Sequence, residues 1–147
     1  MNPEFKVMLE QAQDRYLKAE QLSQFQNYVD SLSDRVTLYR LLRDRELPIL
    51  ELVGFKLEAE LTNVETKQLE NSIKYLSLLL RYGAMAMLMQ DPDLVKHRLL
   101  NWVNQIVSLQ DCREIYQQAQ TLLEQALAKE LNRQQLELLK SFLPGLA

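Results

Sequence analysis

The sequence predicts an all-α domain, and three observations lead to that prediction. Leucine, glutamine and glutamate are plentiful, whereas glycine and proline number only three and four among 147 residues, a composition that favours helices over sheets. Apolar residues recur at three- and four-residue steps through most of the chain, as on one face of a helix. Residues that commonly start helices stand between these periodic stretches. At this length we expect one domain over residues 1–147, with a core that needs no disulfides.

Charge and composition argue against several classes of protein. The net charge is −3 and no basic cluster is interleaved with aromatic residues, so we do not expect a nucleic-acid partner. The first fifteen residues carry charges throughout, and Arg81 interrupts the longest apolar run. We therefore predict neither a signal peptide nor a membrane span. The one cysteine, Cys112, excludes an internal disulfide and fits a cytoplasmic protein.

The N-terminal stretch predicts a short amphipathic helix. Asn2-Pro3-Glu4 combines a capping residue, a proline suited to the first helical position and an acidic side chain at the positive end of the helix dipole. The apolar stripe that follows contains Phe5, Met8, Leu9 and Tyr16. An isolated helix of this length is marginal in water. We therefore expect residues 1–18 to dock, either on their own domain or on a partner.

A long amphipathic helix is predicted from about Ala19 to Arg45. Its apolar face steps by three and four residues through Leu22, Phe25, Val29, Leu32, Val36 and Tyr39. A coiled coil is the alternative, but the pattern lasts under three heptads. Pro48 is expected to end or bend this helix and to start another, which runs to about Leu61. Gly54, inside that second helix, costs ~1 kcal/mol relative to alanine, and a close approach of two helices would explain it.

The stretch Val64–Gln90 is predicted to form the central helix of the domain. Thr62 and Glu65 have the spacing of a capping box ahead of it. The main apolar face is made by Leu69, Ile73, Leu76, Leu80, Gly83 and Met87. The segment Tyr82–Met89 is apolar all round, so we expect it to be covered on more than one side.

The remaining sequence predicts three more helices. Asp91-Pro92-Asp93 starts one that continues through Trp102 to Ile106. Two capping-box spacings, Asp111 with Glu114 and Asn132 with Gln135, open the others, and Pro144-Gly145 closes the last. About seven helices with short loops result, and they permit either a four-helix bundle or helices crossing at oblique angles.

Signals for catalysis are weak. The glycines stand alone, so no phosphate-binding loop is present, and Glu-x-x-His spacing for a dimetal site is absent. A nucleophilic pair of Cys112 and His97 would lack an orienting third group. We predict that the chain is not an enzyme. His97, the one histidine, would be the axial ligand if the domain bound haem, and otherwise a surface histidine.

Several short motifs occur in an order that resembles a known family. They are Asp14-Arg15-Tyr16-Leu17, Leu41-Leu42-Arg43-Asp44, Ile49-Leu50 with Gly54, the tyrosine-bearing helix Ile73 to Met89, and Ser108-Leu109. From about Met8 onward the chain resembles the phycobiliproteins, the globin-like light-harvesting subunits of cyanobacterial phycobilisomes. The resemblance implies a globin-like all-α fold with an N-terminal helical extension. It also implies that Phe5, Met8, Leu9 and Tyr16 form an interface, because the first two helices pair subunits in that family.

The chain departs from this family at the chromophore site. Members that carry a bilin have a cysteine at the start of the central helix, followed two residues later by Arg-Asp. The cysteine forms a thioether with the bilin, the arginine meets a propionate and the aspartate meets the pyrrole nitrogens. The corresponding stretch here is Gln68-Leu69-Glu70-Asn71, and the preceding loop, Ala59 to Lys67, is shorter. The resemblance therefore implies a relative without covalent bilin, similar to chromophore-less globins associated with bilin biosynthesis.

Non-covalent bilin binding is left open by these departures. By analogy of helix position, the lining of such a pocket would be Asn71, Lys74, Tyr75 and Tyr82, with Lys74 meeting a propionate in place of the missing arginine. The alternative is that the two tyrosines belong to a filled core. For partners, we expect a second copy of the chain or a protein of the phycobilisome or of bilin supply.

Overall fold

The computed structural model describes residues 2–109 and 112–143, without the side chains of Ser108 and Leu109. Within these ranges the chain forms seven α-helices and one π-helical turn, and no β-strand, which confirms the all-α prediction. The elements are α1 (Pro3–Gln11), α2 (Ala19–Glu60), α3 (Thr66–Met89), α4 (Asp93–Val95), the π turn (Lys96–Leu100), α5 (Asn101–Leu109), α6 (Arg113–Glu130) and α7 (Arg133–Lys140).

The central position predicted for α3 is confirmed. It packs against α2, α4, the π turn, α6 and α7, and its predicted face reaches the core through Leu76, Leu80 and Met87, all buried. The second half of α2 and α6 complete the core. In the segment Tyr82–Met89, Gly83, Ala84, Ala86 and Met87 are buried, as expected for coverage on more than one side, whereas Tyr82 and Met85 are exposed.

The predicted helix end at Pro48 is wrong, because α2 runs unbroken through it; the alternative, a bend at Pro48, stays a prediction. Proline removes one backbone N–H, so the carbonyl of Asp44 loses its partner within the helix. Asp44 and Pro48 both lie on the exposed side of α2, where water can hydrate that carbonyl. Buried residues on either side, such as Leu42 and Ile49, fix both halves of the helix on the same core.

The predicted helix starts have different outcomes. Asn2 is confirmed as a cap, since its Oδ1 accepts from the Glu4 N–H at 2.9 Å. Asn132 and Gln135 are confirmed as a reciprocal capping box. The box at Thr62 and Glu65 is wrong. Thr62 lies in a turn, and α3 begins at Thr66 without a side-chain cap from Glu65. Two predicted features, Asp111 and Pro144-Gly145, lie outside the described residues.

The close helix approach predicted at Gly54 is also wrong. A Cβ atom built there would meet only the Ile73 Cδ1 at 4.0 Å, an ordinary van der Waals contact. The close approach lies at Gly83 instead, where a Cβ would come within 2.7 Å of the Leu143 Cγ and overlap its Cδ2. The core therefore needs a glycine at position 83 and does not need one at position 54.

Candidate ligand cleft and interaction surface

A buried arginine joins α2 to the end of α3. Arg35 is fully buried, and its guanidinium donates to the Leu88 carbonyl, to the Tyr28 carbonyl at 2.8 Å and to the Ser31 Oγ at 3.1 Å. The same group lies 4.4 Å from the centroid of the Tyr28 ring. Among the described residues, the oxygens that accept hydrogen bonds from Arg35 are two backbone carbonyls and one hydroxyl. The Leu88 carbonyl lies at the C-terminal end of α3, where the helix dipole favours a cation such as the guanidinium. We call this group of residues, together with Gln90, the α3 junction.

The helix α1 is tied to the α3 junction. Gln90 ends α3 in the left-handed conformation, with φ of 50°, and the Asp91 N–H bonds back to the Ala86 carbonyl at 2.9 Å, as in a glycine-type helix end. The Gln90 carbonyl accepts from the Asn2 Nδ2 at 3.0 Å, and its amide donates to the Ser31 Oγ at 3.3 Å. The N-terminal helix is thereby held on its own domain.

This docking divides the predicted interface on α1. Phe5 packs edge-on against Phe25 and Tyr28, with ring centroids 5.7 and 4.4 Å apart, and Met8 is buried. Met8 is therefore buried and Phe5 half-buried by the chain itself, and the assignment of the four residues to a partner interface stays a prediction. The α1 helix turns by about 100° per residue, which leaves Leu9 on the open side, and the following Tyr16 is 97% exposed.

An exposed apolar stripe continues from α1 along the first half of α2. No side chain from Ala19 to Asp34 is buried, so this part of α2 extends beyond the core. Its exposed large apolar residues share one helix face, and we call them the α2 stripe: Leu22, Phe25, Val29 and Leu32. Contiguous exposed apolar surface of this kind is typical of protein interaction sites.

A second feature is the cleft between the second half of α2 and the first two thirds of α3. We call it the α2–α3 cleft. It has a volume of about 660 Å³, within the range of ligand-binding clefts. The apolar part of its lining consists of Leu47, Leu50, Gly54, Leu69 and Ile73. The Glu46 carboxylate crosses one end, accepting from the Ser77 Oγ at 2.6 Å and from the Arg81 Nε at 2.8 Å.

The charged lining of the α2–α3 cleft is acidic. Five carboxylates stand against three cations, an excess of two negative charges. Arg43 forms an ion pair with Asp44, and Arg81 forms one with Glu46, each at 2.8 Å. Lys74 is the remaining cation of the lining, which also contains Glu51, Glu58 and Glu70. The cleft therefore favours a cationic ligand over an anionic one.

The structure does not bring the four predicted tetrapyrrole-lining residues together. Lys74 lines the α2–α3 cleft, whereas Asn71, Tyr75 and Tyr82 do not. Tyr75 is a buried core residue with an edge contact to Trp102 at 6.2 Å, and Tyr82 is exposed. The prediction grouped these residues by helix position. At about 100° per residue, Asn71, Tyr75 and Tyr82 lie within about 40° of one another, whereas Lys74 is turned from them by about 60–100°, toward the α2–α3 cleft.

The other candidate residues also lie apart. His97 is exposed in the π turn and does not line the α2–α3 cleft. Cys112 is buried just before α6, with its Sγ 3.7 Å from the Val107 carbonyl. In the part of the chain that the structure describes, three or more His, Cys, Asp or Glu residues do not cluster as a metal site would need. Within the same ranges, every helix is too short or too polar to cross a bilayer.

Comparison with known proteins identifies the family of this all-helical chain. The family model described as phycobilisome protein matches residues 9–144, nearly the whole chain. The chain belongs to the phycobilisome protein family. Curated proteins give no significant match. Membership confirms the globin-like fold class and the resemblance found in the sequence. Phycobilisome proteins are structural light-harvesting proteins that assemble into oligomers, and they bind bilins, typically through covalent bonds.

The residues of this chain do not fit a covalently bound bilin. Thioether attachment needs an accessible thiol, but the one cysteine is the buried Cys112 before α6. By the resemblance, the family's attachment position on α3 corresponds to Gln68. The charged lining of the α2–α3 cleft, with two more carboxylates than cations, does not favour the two propionates of a bilin.

Proposed function

We propose that this phycobilisome-family protein carries no covalent bilin and acts as a cytoplasmic interaction protein in phycobilisome assembly or bilin supply. The proposal rests on a contrast between the pigment position of the family and the subunit-pairing surface of the family. The pigment position has lost its thiol and its cation, whereas an exposed apolar surface persists on α1 and the first half of α2. That surface consists of Leu9, Tyr16 and the α2 stripe.

The proposed interaction surface has the properties of a subunit contact. Burial of each large apolar side chain against a partner would contribute ~1.5–3 kcal/mol, so a few of them suffice for association. The docking of α1 on the α3 junction presents Leu9 on the same end of the molecule as the α2 stripe. The simplest partner is a second copy of the chain, which would pair with the first through the same face and form a homodimer.

The absence of covalent pigment is tested by coexpression with a bilin supply and a lyase, followed by zinc staining of denaturing gels. We expect no fluorescent band at the mass of the chain. The matched control is Cys112→Ser, which removes the one thiol while leaving the α3 positions intact. A band present in the unaltered chain and lost in the control would overturn this part of the proposal. Non-covalent bilin binding stays a prediction.

The interaction surface is tested by sedimentation of the full chain and of the double variant Leu22→Lys/Val29→Lys. Both side chains are exposed, so the variant should keep its helicity while losing self-association. The control is Phe55→Lys, at a more exposed apolar residue on the far half of α2, which should associate as the unaltered chain does. The proposal fails if the full chain is monomeric and captures no identified phycobilisome or bilin-supply protein from a cyanobacterial lysate.

A further inference from the structure

A glycine inside helix α2, Gly54, has no role in the proposed function. A glycine inside a helix costs ~1 kcal/mol relative to alanine, and the structure shows no packing reason for it, because a Cβ would reach only Ile73 at 4.0 Å. Gly54 lines the α2–α3 cleft. Glycine at such a position is typical of a site where another molecule approaches the backbone closely.

The surroundings of Gly54 have the form of a groove. Its two walls are the α2 segment from Arg43 to Glu58 and the α3 segment from Thr66 to Arg81. Each wall is about 22 Å long at ~1.5 Å per residue, which is the length of some four helical turns. The groove is apolar along its base, where Leu47 is 67% exposed, and acidic along its rims. Such a groove is suited to the apolar face of an amphipathic helix.

The charges of the groove decide the kind of occupant. On α2, Glu51 and Glu58 lie on either side of Gly54 on the same helix face, and Glu70 lies on the opposite wall. An occupant seated on the glycine would place its flanking side chains beside these carboxylates. Positive side chains on the occupant would be attracted to these carboxylates and would orient the occupant in the groove, whereas negative side chains would be repelled.

We infer that the α2–α3 cleft is a docking groove for a basic amphipathic helix of another protein, with apolar side chains on the base and Lys or Arg side chains on the rims. The groove lies on the far half of α2 from the α2 stripe, so it is an interaction site separate from the one in the proposed function.

The test uses two fluorescein-labelled helical peptides with the same leucine face, one carrying lysine and the other glutamate on its polar face. Fluorescence anisotropy with the full chain should show binding of the lysine peptide, weakened by salt. The glutamate peptide should bind on the order of tenfold more weakly or worse, as expected when several exposed charge pairs change sign. Equal binding of the two peptides, or no binding of the lysine peptide, would overturn the inference.

Two variants locate the binding. Gly54→Leu fills the base of the groove and should abolish binding of the lysine peptide, whereas Ala59→Leu, at an exposed position of the same helix outside the groove, should not. Circular dichroism should show an intact fold, since leucine favours helix more than glycine. If Gly54→Leu keeps its helicity and binds the peptide normally, the groove is not the site.

Charge reversal provides the independent second variant. Glu51→Lys/Glu58→Lys should weaken binding of the lysine peptide on the order of tenfold. Glu114→Lys/Glu137→Lys, which changes the net charge equally at exposed positions on α6 and α7, should leave it within about twofold. Equal losses in the two variants would mean non-specific attraction and refute the inference. Titration with biliverdin completes the test, because a bilin that displaces the peptide would assign the cleft to a tetrapyrrole instead.

Discussion

At the scale of single residues, two of the glycines have opposite roles. Gly83→Ala would force a methyl group into the Leu143 side chain, which packs directly on Gly83. Overpacking of this kind costs about 1–3 kcal/mol, more than the ~1 kcal/mol that alanine gains in a helix. Gly54→Ala meets ordinary contact distances and should stabilise the fold by up to about 1 kcal/mol. Urea unfolding followed by circular dichroism measures both changes, and a stabilised Gly83→Ala would contradict the packing described.

Tyr116 provides a prediction about alkaline pH. Burial raises the pKa of Tyr116 to about 12 from its ordinary value of 10.0. Above pH 10 the unfolded chain therefore loses this proton before the folded chain does. The free energy of unfolding should fall as the pH rises from 10 to about 12, by up to ~3 kcal/mol. Tyr116→Phe should remove this part of the alkaline loss, as measured by urea unfolding at a series of pH values.

Tyr116→Phe also tests a prediction about stability at neutral pH. Among the described residues, the Tyr116 hydroxyl is buried without a hydrogen-bond partner. Leaving a buried hydroxyl unsatisfied costs about 1–3 kcal/mol, so Tyr116→Phe should be neutral or stabilising. Tyr82→Phe, at an exposed tyrosine, is the control and should not change the stability at pH 7. A clear loss of stability in Tyr116→Phe would show that the hydroxyl has a partner.

At the scale of elements, Arg35 fixes how α2 meets the end of α3. Arg35→Met keeps much of the side-chain length but leaves the Leu88 carbonyl without the Arg35 donor, whereas the Tyr28 carbonyl still accepts from the Ser31 Oγ. An unsatisfied buried acceptor costs about 1–3 kcal/mol, so we expect a loss of about 1–3 kcal/mol. Arg40→Met, at an exposed arginine of the same helix, should change stability by less than about 0.5 kcal/mol. Equal losses of stability in Arg35→Met and Arg40→Met would show that the buried hydrogen bonds of Arg35 do not stabilise the fold.

At the scale of the whole molecule, stability should be distributed unevenly along α2. Its first half lacks buried side chains from Ala19 to Asp34, while its second half packs on α3 and α6. Local opening is easiest where few apolar contacts hold a segment. In dilute protein, amides of residues 19–34 should exchange on the order of a hundredfold faster than those of Leu76–Leu80. Uniform protection along α2 would contradict this distribution.

The same measurement links stability to the proposed association. If the α2 stripe pairs two copies, amide protection of residues 19–34 should rise with protein concentration, because only the associated form buries that face. The variant Leu22→Lys/Val29→Lys should keep low protection at every concentration. Protection that is independent of concentration in the unaltered chain would argue against a homodimer through this face.

The sequence predicted elements well wherever the signal was local. The caps at Asn2 and Asn132 depend on residues three positions apart or fewer, and the face of α3 depends on a period of 3.6 residues. The helix end at Pro48 was predicted wrongly because proline's cost depends on whether its side of the helix is exposed. The candidate pocket failed because its residues were grouped by their place along α3, although consecutive residues such as Lys74 and Tyr75 point about 100° apart.

The sequence by itself determined the all-α class and the central helix, because both follow from residue types and spacings, and its short motifs in order indicated the family. Only the tertiary structure decided which apolar faces are covered. It placed Phe5 and Met8 on the chain's own domain, buried Arg35 against the end of α3, and left Gly54 on the base of an acidic groove. The physical reason is that burial and charge environment arise from residues distant in sequence, which no local pattern brings together.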